Sequence, residues 1–192
     1  MPIRNENDIL HFIHEDRWMM DILSTVRTLG LPDWWICAGF VRGKIWDVLH
    51  DFVSRTATPD IDVIYFDPND LSETEEKRLE AKLNRLHPNV PWSVKNQARM
   101  HLVNDLPPYT SSEDAISKFP ETATALGVHL DKHNNLILTA RHGIEDVLNM
   151  IIRPTPTFID NKSLTAIYES RLAKKNWLAI WPKLRIDNNR VE

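Results

Sequence analysis

Apolar residues recur at helical spacing from Ile9, Leu10, Phe12 and Ile13 through Met19, Met20, Ile22 and Leu23 to Val26. With Asn7-Asp8 ahead of them and Gly30 and Pro32 behind, they predict one amphipathic helix over 7–29. Trp34 to Ala38 is a continuous apolar run of strand length, the pattern of a strand buried on both faces. Gly39 breaks it, and Phe40 to Phe52 returns to helical spacing through Val41, Ile45, Val48, Leu49 and Phe52. After a loop over 53–59, Asp60 to Phe66 reads as a second strand, closed by the turn signal Asp67-Pro68-Asn69-Asp70. Ser72 and Glu75 form a capping box for a charged helix, Glu73 to Leu86. Trp92 to His101 alternates and predicts a third strand, with Val94, Asn96, Ala98 and Met100 on one face and Lys95, Gln97, Arg99 and His101 on the other.

The second half reads more irregularly. A Pro-rich loop over 105–112 precedes a short helix near Glu113–Phe119, and stretches 127–130 and 136–139 flank a hairpin turn. Ile144 to Ile152 predicts an apolar helix, and Leu164 to Trp177 a last amphipathic one. This order gives an α+β (α/β-like) class: a small mixed sheet flanked by helices, its core over 33–152. The sharpest boundary is the Pro154–Asn161 loop. The expected organisation is one domain over 1–157, then a C-terminal helical appendage with a basic tail over 158–192, packed on that domain or extending from it.

Composition excludes several classes. The 192 residues are 42% hydrophobic and 26% charged, proportions of an ordinary globular chain. No apolar run approaches the ~18 residues of a membrane span, so no membrane partner is expected. The N-terminal MPIRNENDILHFIHED carries acids where a secretory signal has its apolar stretch, and Cys37 stands alone, which together predict a cytoplasmic protein. A formal net charge of -4 speaks against a nucleic-acid coat, and no DNA partner is expected. Charge is uneven: residues 153–190 carry a net +5, and residues 1–152 a net -8. Such a tail either meets an anionic partner or packs its basic face on an acidic body.

Candidate chemistry is concentrated between Trp34 and Asp67. Asp60 and Asp62, two apart on a strand, project to one face, and carboxylates so close repel unless a cation sits between them. Mg²⁺ takes carboxylate oxygens and completes its shell with water and substrate phosphates. Gly39, at a strand-to-helix turn, lets a phosphate approach the backbone, and Arg42 in the first turn of the helix is in reach of the same phosphate. The structural alternative is that the two aspartates cap a loop and Arg42 pairs with one of them. Gly39-Phe-Val-Arg-Gly43-Lys44-Ile45 is one residue short of a P-loop and places Ile45 where a Ser or Thr must meet Mg²⁺.

Ala38-Gly39-Phe40-Val41-Arg42 followed by Asp60-Ile61-Asp62-Val63 resembles the Gly-Gly-x-Val-Arg-Asp and Asp-x-Asp signature in the head domain of tRNA CCA-adding enzymes and poly(A) polymerases. AGFVRGKIWDVLH, DIDVIYFD, WSVKNQARMH, FPETATALGV and GIEDVLNMIIRPTP look like a bacterial family of stand-alone nucleotidyltransferase-like proteins, over roughly residues 30–157. The resemblance implies a polymerase-β-type nucleotidyltransferase fold. It also implies two Mg²⁺ ions on Asp60 and Asp62, and an NTP whose triphosphate meets Gly39, Phe40 and Arg42. The activity implied is Mg²⁺-dependent transfer of a nucleoside monophosphate to the hydroxyl of an unknown acceptor, a small molecule, protein or RNA, with release of pyrophosphate. Ala38 stands where the signature has its first Gly, and Gly43 where it has Asp. The third carboxylate usual in active members has no counterpart in WSVKNQARMH, where Asn96 and Gln97 are the nearest stand-ins. Asp105, Glu113 or Asp131 are candidates from loops; Asp67, about 16 Å along an extended strand from Asp62 and on the other face, is not.

Two further readings follow: a nucleotide-binding or regulatory module weak in catalysis, and an RNA 3′-end-modifying enzyme. The net charge of -4 and the short chain count against the latter. On the predicted third strand, Arg99 is a candidate for the phosphates, with Asn96, Gln97 and His101 as pocket candidates, unless this is a solvated strand face. Thr122 and Thr124 either touch a ligand or shape a turn. Trp46, Trp92 and Cys37 are expected in the core, and the histidines show no metal-ligand spacing.

Overall fold

The computed structural model describes residues 3–189; Arg190, counted above in the basic tail, lies outside the described residues. Five strands form one mixed sheet in the order β3-β2-β1-β4-β5: β1 is Trp35–Cys37, β2 Ile61–Tyr65, β3 Trp92–Asn96, β4 Leu126–Leu130 and β5 Leu136–Ala140. β1 runs antiparallel to both neighbours, β2 and β4, while β2 and β3 are parallel. The all-apolar β1 is explained by this central place, since both its faces are covered. Ile36 lies across from Val63 and Val128 and joins them in the main core. Trp35, Cys37 and Ile64 face the other way, into a smaller cluster with Ile116 and Ala125. The α+β expectation of a small mixed sheet flanked by helices holds. Among the described residues no helix is long and apolar enough to cross a membrane.

The helix expected over 7–29 is two helices, α1 (Glu6–His14) and α2 (Arg17–Arg27). Asn5, not Asn7-Asp8, caps α1 by accepting from the Asp8 N–H. Asp16 breaks the run: it caps α2 through the Met19 N–H and also receives Lys44 Nζ at 2.9 Å and Arg55 Nη2 at 2.6 Å. Ile9, Ile13, Met19, Ile22, Leu23 and Val26 stay buried across the break, which is why the periodicity survives it. α3 (Gly39–Leu49) follows β1, and α4 (Glu73–Leu86) follows β2. Ser72 caps α4 as expected, but Glu75 turns to Arg78 rather than back to the cap.

The third strand stops at Asn96, and residues Gln97–Met100 turn into a short helix. Buried Asn96 causes the change, because its side chain accepts from the Ala98 and Asp67 N–H groups and donates to the Asp67 and Asp70 carbonyls. Lys95, Gln97, Arg99 and His101 therefore do not share a strand face. The helix expected over 144–152 covers only Glu145–Leu148. Met150 takes φ 58, and Ile151–Ile152 form β6, paired in parallel with β7, Arg185–Ile186.

The last long helix spans Lys162–Lys174, and a separate short one spans Trp177–Ile180. Trp177 and Trp181 meet Trp46 of α3 edge-to-face, at 5.8 and 5.2 Å between ring centroids. Trp46 is fully buried, and its Nε1–H donates to the Val147 carbonyl. Three tryptophans and the β6–β7 pair thus dock the C-terminal segment onto the body.

Candidate active site

Strand β1 delivers the chain into α3 through Ala38, whose φ 57 and ψ -119 suit glycine and cost an L residue roughly 1–3 kcal/mol. The turn lets the Ala38 carbonyl accept from the Val41 and Arg42 N–H groups. It also leaves the start of α3, at Gly39, on the wall of a cavity of about 340 Å³. First-turn N–H groups of a helix lack intrahelical acceptors and carry partial positive charge. A Cβ at Gly39 would sit 3.4 Å from Thr58 Cγ2 and 3.7 Å from an Arg42 nitrogen, narrowing the cavity mouth.

Asp60 and Asp62 line the same cavity. Asp62 lies directly across from Cys37 in the β1–β2 ladder, and Asp60 stands exposed just before β2. The loop leading to Asp60 is held by buried Asp47 of α3. Its carboxylate accepts from the Thr56 N–H at 2.8 Å, the Thr56 hydroxyl at 2.6 Å and Trp181 Nε1–H at 2.8 Å. One carboxylate therefore ties two walls of the cavity together.

The remaining wall is the segment from Arg171 to Trp181, with Arg171, Lys174, Lys175 and Trp177 on the cavity. Arg42 is 6% exposed. Its Nη1 donates to the Thr124 hydroxyl at 2.5 Å, its guanidinium lies 4.2 Å from the Trp177 ring centroid, and its Nε is buried without a partner. Arg171 donates to Oε1 of fully buried Glu121 at 2.7 Å and also reaches over Trp177, at 5.6 Å. Trp177 thus serves two guanidinium groups.

Like charges are held together on both sides. Burial and then Asp60 push the Asp62 carboxyl up to about 6, against the pull of Arg171, Arg42 and Lys175. Burial brings the Arg42 guanidinium down to about 10; Arg171 adds to this, while Glu121, Asp62 and Asp60 oppose it. The donor set suits Mg²⁺: two hard carboxylates on one face, which repel when no cation lies between them. Among the described residues no group of three or more His, Cys, Asp or Glu side chains converges as a metal site.

Of the residues singled out in the sequence, Gly39, Arg42, Asp60 and Asp62 come together. Phe40 packs in the core against Trp18, at 5.8 Å. Arg99 pairs with buried Glu76 through two bonds, at 2.8 and 2.7 Å, and with Glu73. Asn96 caps its turn, Gln97 is buried with its amide 3.5 Å from the Lys95 carbonyl, and His101 meets Tyr109 edge-on at 6.0 Å. Thr122 donates to Asp146. Among the loop acids, Glu113 accepts from Thr139, Asp131 closes the β4–β5 turn, and Asp105 takes a left-handed backbone. None of these lines the cavity. Sequence reasoning missed Asp47, Glu121 and the Arg171–Trp181 wall. The signal for the wall was present in the +5 charge of the C-terminal stretch, of which Arg153 and Arg171 pair with the body acids Asp146 and Glu121.

A family model described as nucleotidyltransferase matches residues 24–186. A structure solved by NMR and described as revealing a CCA-adding enzyme head domain is 42% identical, with a TM-score of 0.89, over 97% of this chain and 98% of that one. A CCA-adding enzyme in complex with ATP is 15% identical, with a TM-score of 0.55, over 98% of this chain and 44% of that one. The Thermotoga maritima CCA-adding enzyme in complex with tRNA is 16% identical, with a TM-score of 0.52, over 98% and 44%. The likeness to these two longer enzymes is one of fold, and the chain spans less than half their length. No curated protein matches.

Proposed function

This chain belongs to the nucleotidyltransferase family, and on that premise we propose that it transfers a nucleoside monophosphate from an NTP to an acceptor hydroxyl, with release of pyrophosphate. The observation that carries the reading is the charge arrangement of one cavity. Arg42, Arg171, Lys174 and Lys175 oppose Asp60 and Asp62 there, a net +2 within a protein of net -4. Each set repels itself, and a metal–triphosphate complex, with about two net negative charges, relieves both.

Asp60 and Asp62 would hold Mg²⁺, which when bound supplies Lewis-acid neutralisation of phosphate oxygens. Arg42 reaches the phosphates with its rotamer already fixed by Thr124 and Trp177, so little side-chain entropy is lost on binding. Gly39 admits the phosphate to the first-turn N–H groups of α3. Its missing side chain keeps that approach open.

The two-carboxylate set favours a second reading, nucleotide binding with slow transfer, since no third acid converges among the described residues. One assay separates the two. Each α-³²P-labelled NTP is incubated with Mg²⁺ and a cell extract or tRNA, and both label transfer and pyrophosphate are followed, with Asp62→Asn as control. Transfer that falls about 100-fold or more in the variant supports the enzyme. Nucleotide binding without pyrophosphate supports the module, and label transfer equal in both proteins overturns the site.

A further inference from the structure

We infer that Arg171, Lys174 and Lys175 form a polyphosphate clamp, so that the C-terminal helix binds the β- and γ-phosphates of the NTP and then holds the departing pyrophosphate. The inference rests on the nucleotidyltransferase reading and extends it to residues that lie outside the Gly39–Asp62 segment.

Three observations carry it. First, Arg171 and Lys174 lie three apart in the last turns of the Lys162–Lys174 helix, Lys175 is its C-cap, and all three line the cavity that holds Asp60 and Asp62. Cations are tolerated at a helix C-terminus, where the dipole offsets part of their repulsion. Second, their charge is incompletely answered. Arg171 has Glu121, but Lys174 and Lys175 have no ion pair among the described residues. By contrast, Lys44 and Arg55 pair with half-buried Asp16, and Lys95 and Arg99 with buried Glu76. Third, the same three side chains also line a neighbouring groove of about 690 Å³, beside Phe158 and Ile167. The cationic strip thus runs from the cavity of Asp60 and Asp62 to an open face, which gives a departing anion a way out.

The chemistry needs such a strip. As the acceptor oxygen bonds to the α-phosphorus, the bond from that phosphorus to the α–β bridging oxygen breaks. The electron pair leaves with pyrophosphate, and the hydroxyl proton passes to solvent. Negative charge grows on the leaving group, where donors fixed beforehand by folding stabilise it most. Arg171 meets this condition, since the buried Glu121 carboxylate and the Trp177 ring hold it in place. Arg42 and Gly39 belong to α3, so the clamp adds cationic groups from a second element of the cavity.

The test uses the full chain and the double variant Lys174→Gln/Lys175→Gln, whose side chains are exposed or half-exposed and whose loss leaves the core intact. Isothermal titration measures inorganic pyrophosphate, the four NTPs and the four NMPs, with Mg²⁺ present. Expected is a tenfold or greater weakening for pyrophosphate and for the preferred NTP, with NMP affinity changed less than twofold. If the double variant binds pyrophosphate and NTP as the parent does, the clamp is wrong and the nucleotidyltransferase reading stands. If the unaltered chain binds no NTP, both are overturned.

Discussion

The Arg42 guanidinium lies over the Trp177 ring, 4.2 Å from its centroid, joining the first turn of α3 to the segment after the last long helix. Arg42 is only 6% exposed there, and the indole face supplies part of the lost solvation. The pair holds the α3 side of the cavity to its C-terminal wall.

Trp177→Ala should therefore weaken both stability and nucleotide binding. Removing a buried Trp costs about 3–5 kcal/mol, and the freed Arg42 should raise the Kd for NTP. Trp177→Phe keeps a ring face and should restore most of the binding. Urea unfolding and nucleotide titration on both variants check this, and NTP affinity unchanged in the alanine variant contradicts it.

Asp62→Asn should stabilise the metal-free protein near neutral pH. Because the folded-state pKa of Asp62 is raised from 3.8 to about 6, its ionised form is disfavoured in the fold. Below about pH 4 the carboxyl is protonated in both the folded and the unfolded chain, and no cost arises. Between about 4 and 6 the unfolded chain loses its proton first, so stability falls as pH rises, and above about 6 the full cost, about 3 kcal/mol, is present. The variant should melt higher than the parent near pH 7.5 and show no such gain near pH 4. Added Mg²⁺ should narrow the gap at pH 7.5, since it stabilises the parent alone.

Ala38→Gly relieves the left-handed strain at φ 57. Glycine loses roughly 0.5–1 kcal/mol of unfolded-state entropy, against relief of roughly 1–3 kcal/mol, so a net gain of about 1 kcal/mol is expected. The urea midpoint should rise with an unchanged slope. Ala38→Val should move it the other way.

Asp47→Ala leaves the Thr56 N–H, the Thr56 hydroxyl and the Trp181 indole N–H without their shared acceptor. A loss of about 3 kcal/mol is expected. Hydrogen exchange should rise at Thr56 and at the Trp181 indole together, because one group holds both.

Much of the fold was legible because it is local. The cap at Ser72 and the spacing of Leu79 and Leu83 define α4 within its own residues. β1 declares itself through an apolar run that only a doubly covered strand needs. The break at Asp16 was hidden, since its partners Lys44 and Arg55 come from elsewhere in the chain. The end of β3 was hidden for a similar reason: Asn96 is satisfied by Asp67 and Asp70 across a loop. The site divides the same way. Asp60 and Asp62 share a face by the two-residue strand period, and Gly39 and Arg42 follow a strand-to-helix turn. Arg171 and Trp177 reach the cavity by tertiary packing, which no spacing rule encodes.

Docking of the C-terminal segment also sets an order of events during synthesis. A nascent chain that has emerged only through Asp160 already contains the five strands and both aspartates. It lacks Trp177 and Trp181 against Trp46, the Arg171 wall, and the β7 partner of β6. Such a chain carries a carboxylate pair with Arg42 uncovered and three of the four cavity cations missing. The proposed triphosphate site is therefore completed late, with the residues through Ile186, and a cut between Asp160 and Lys162 is expected to leave the sheet in place and the cavity open.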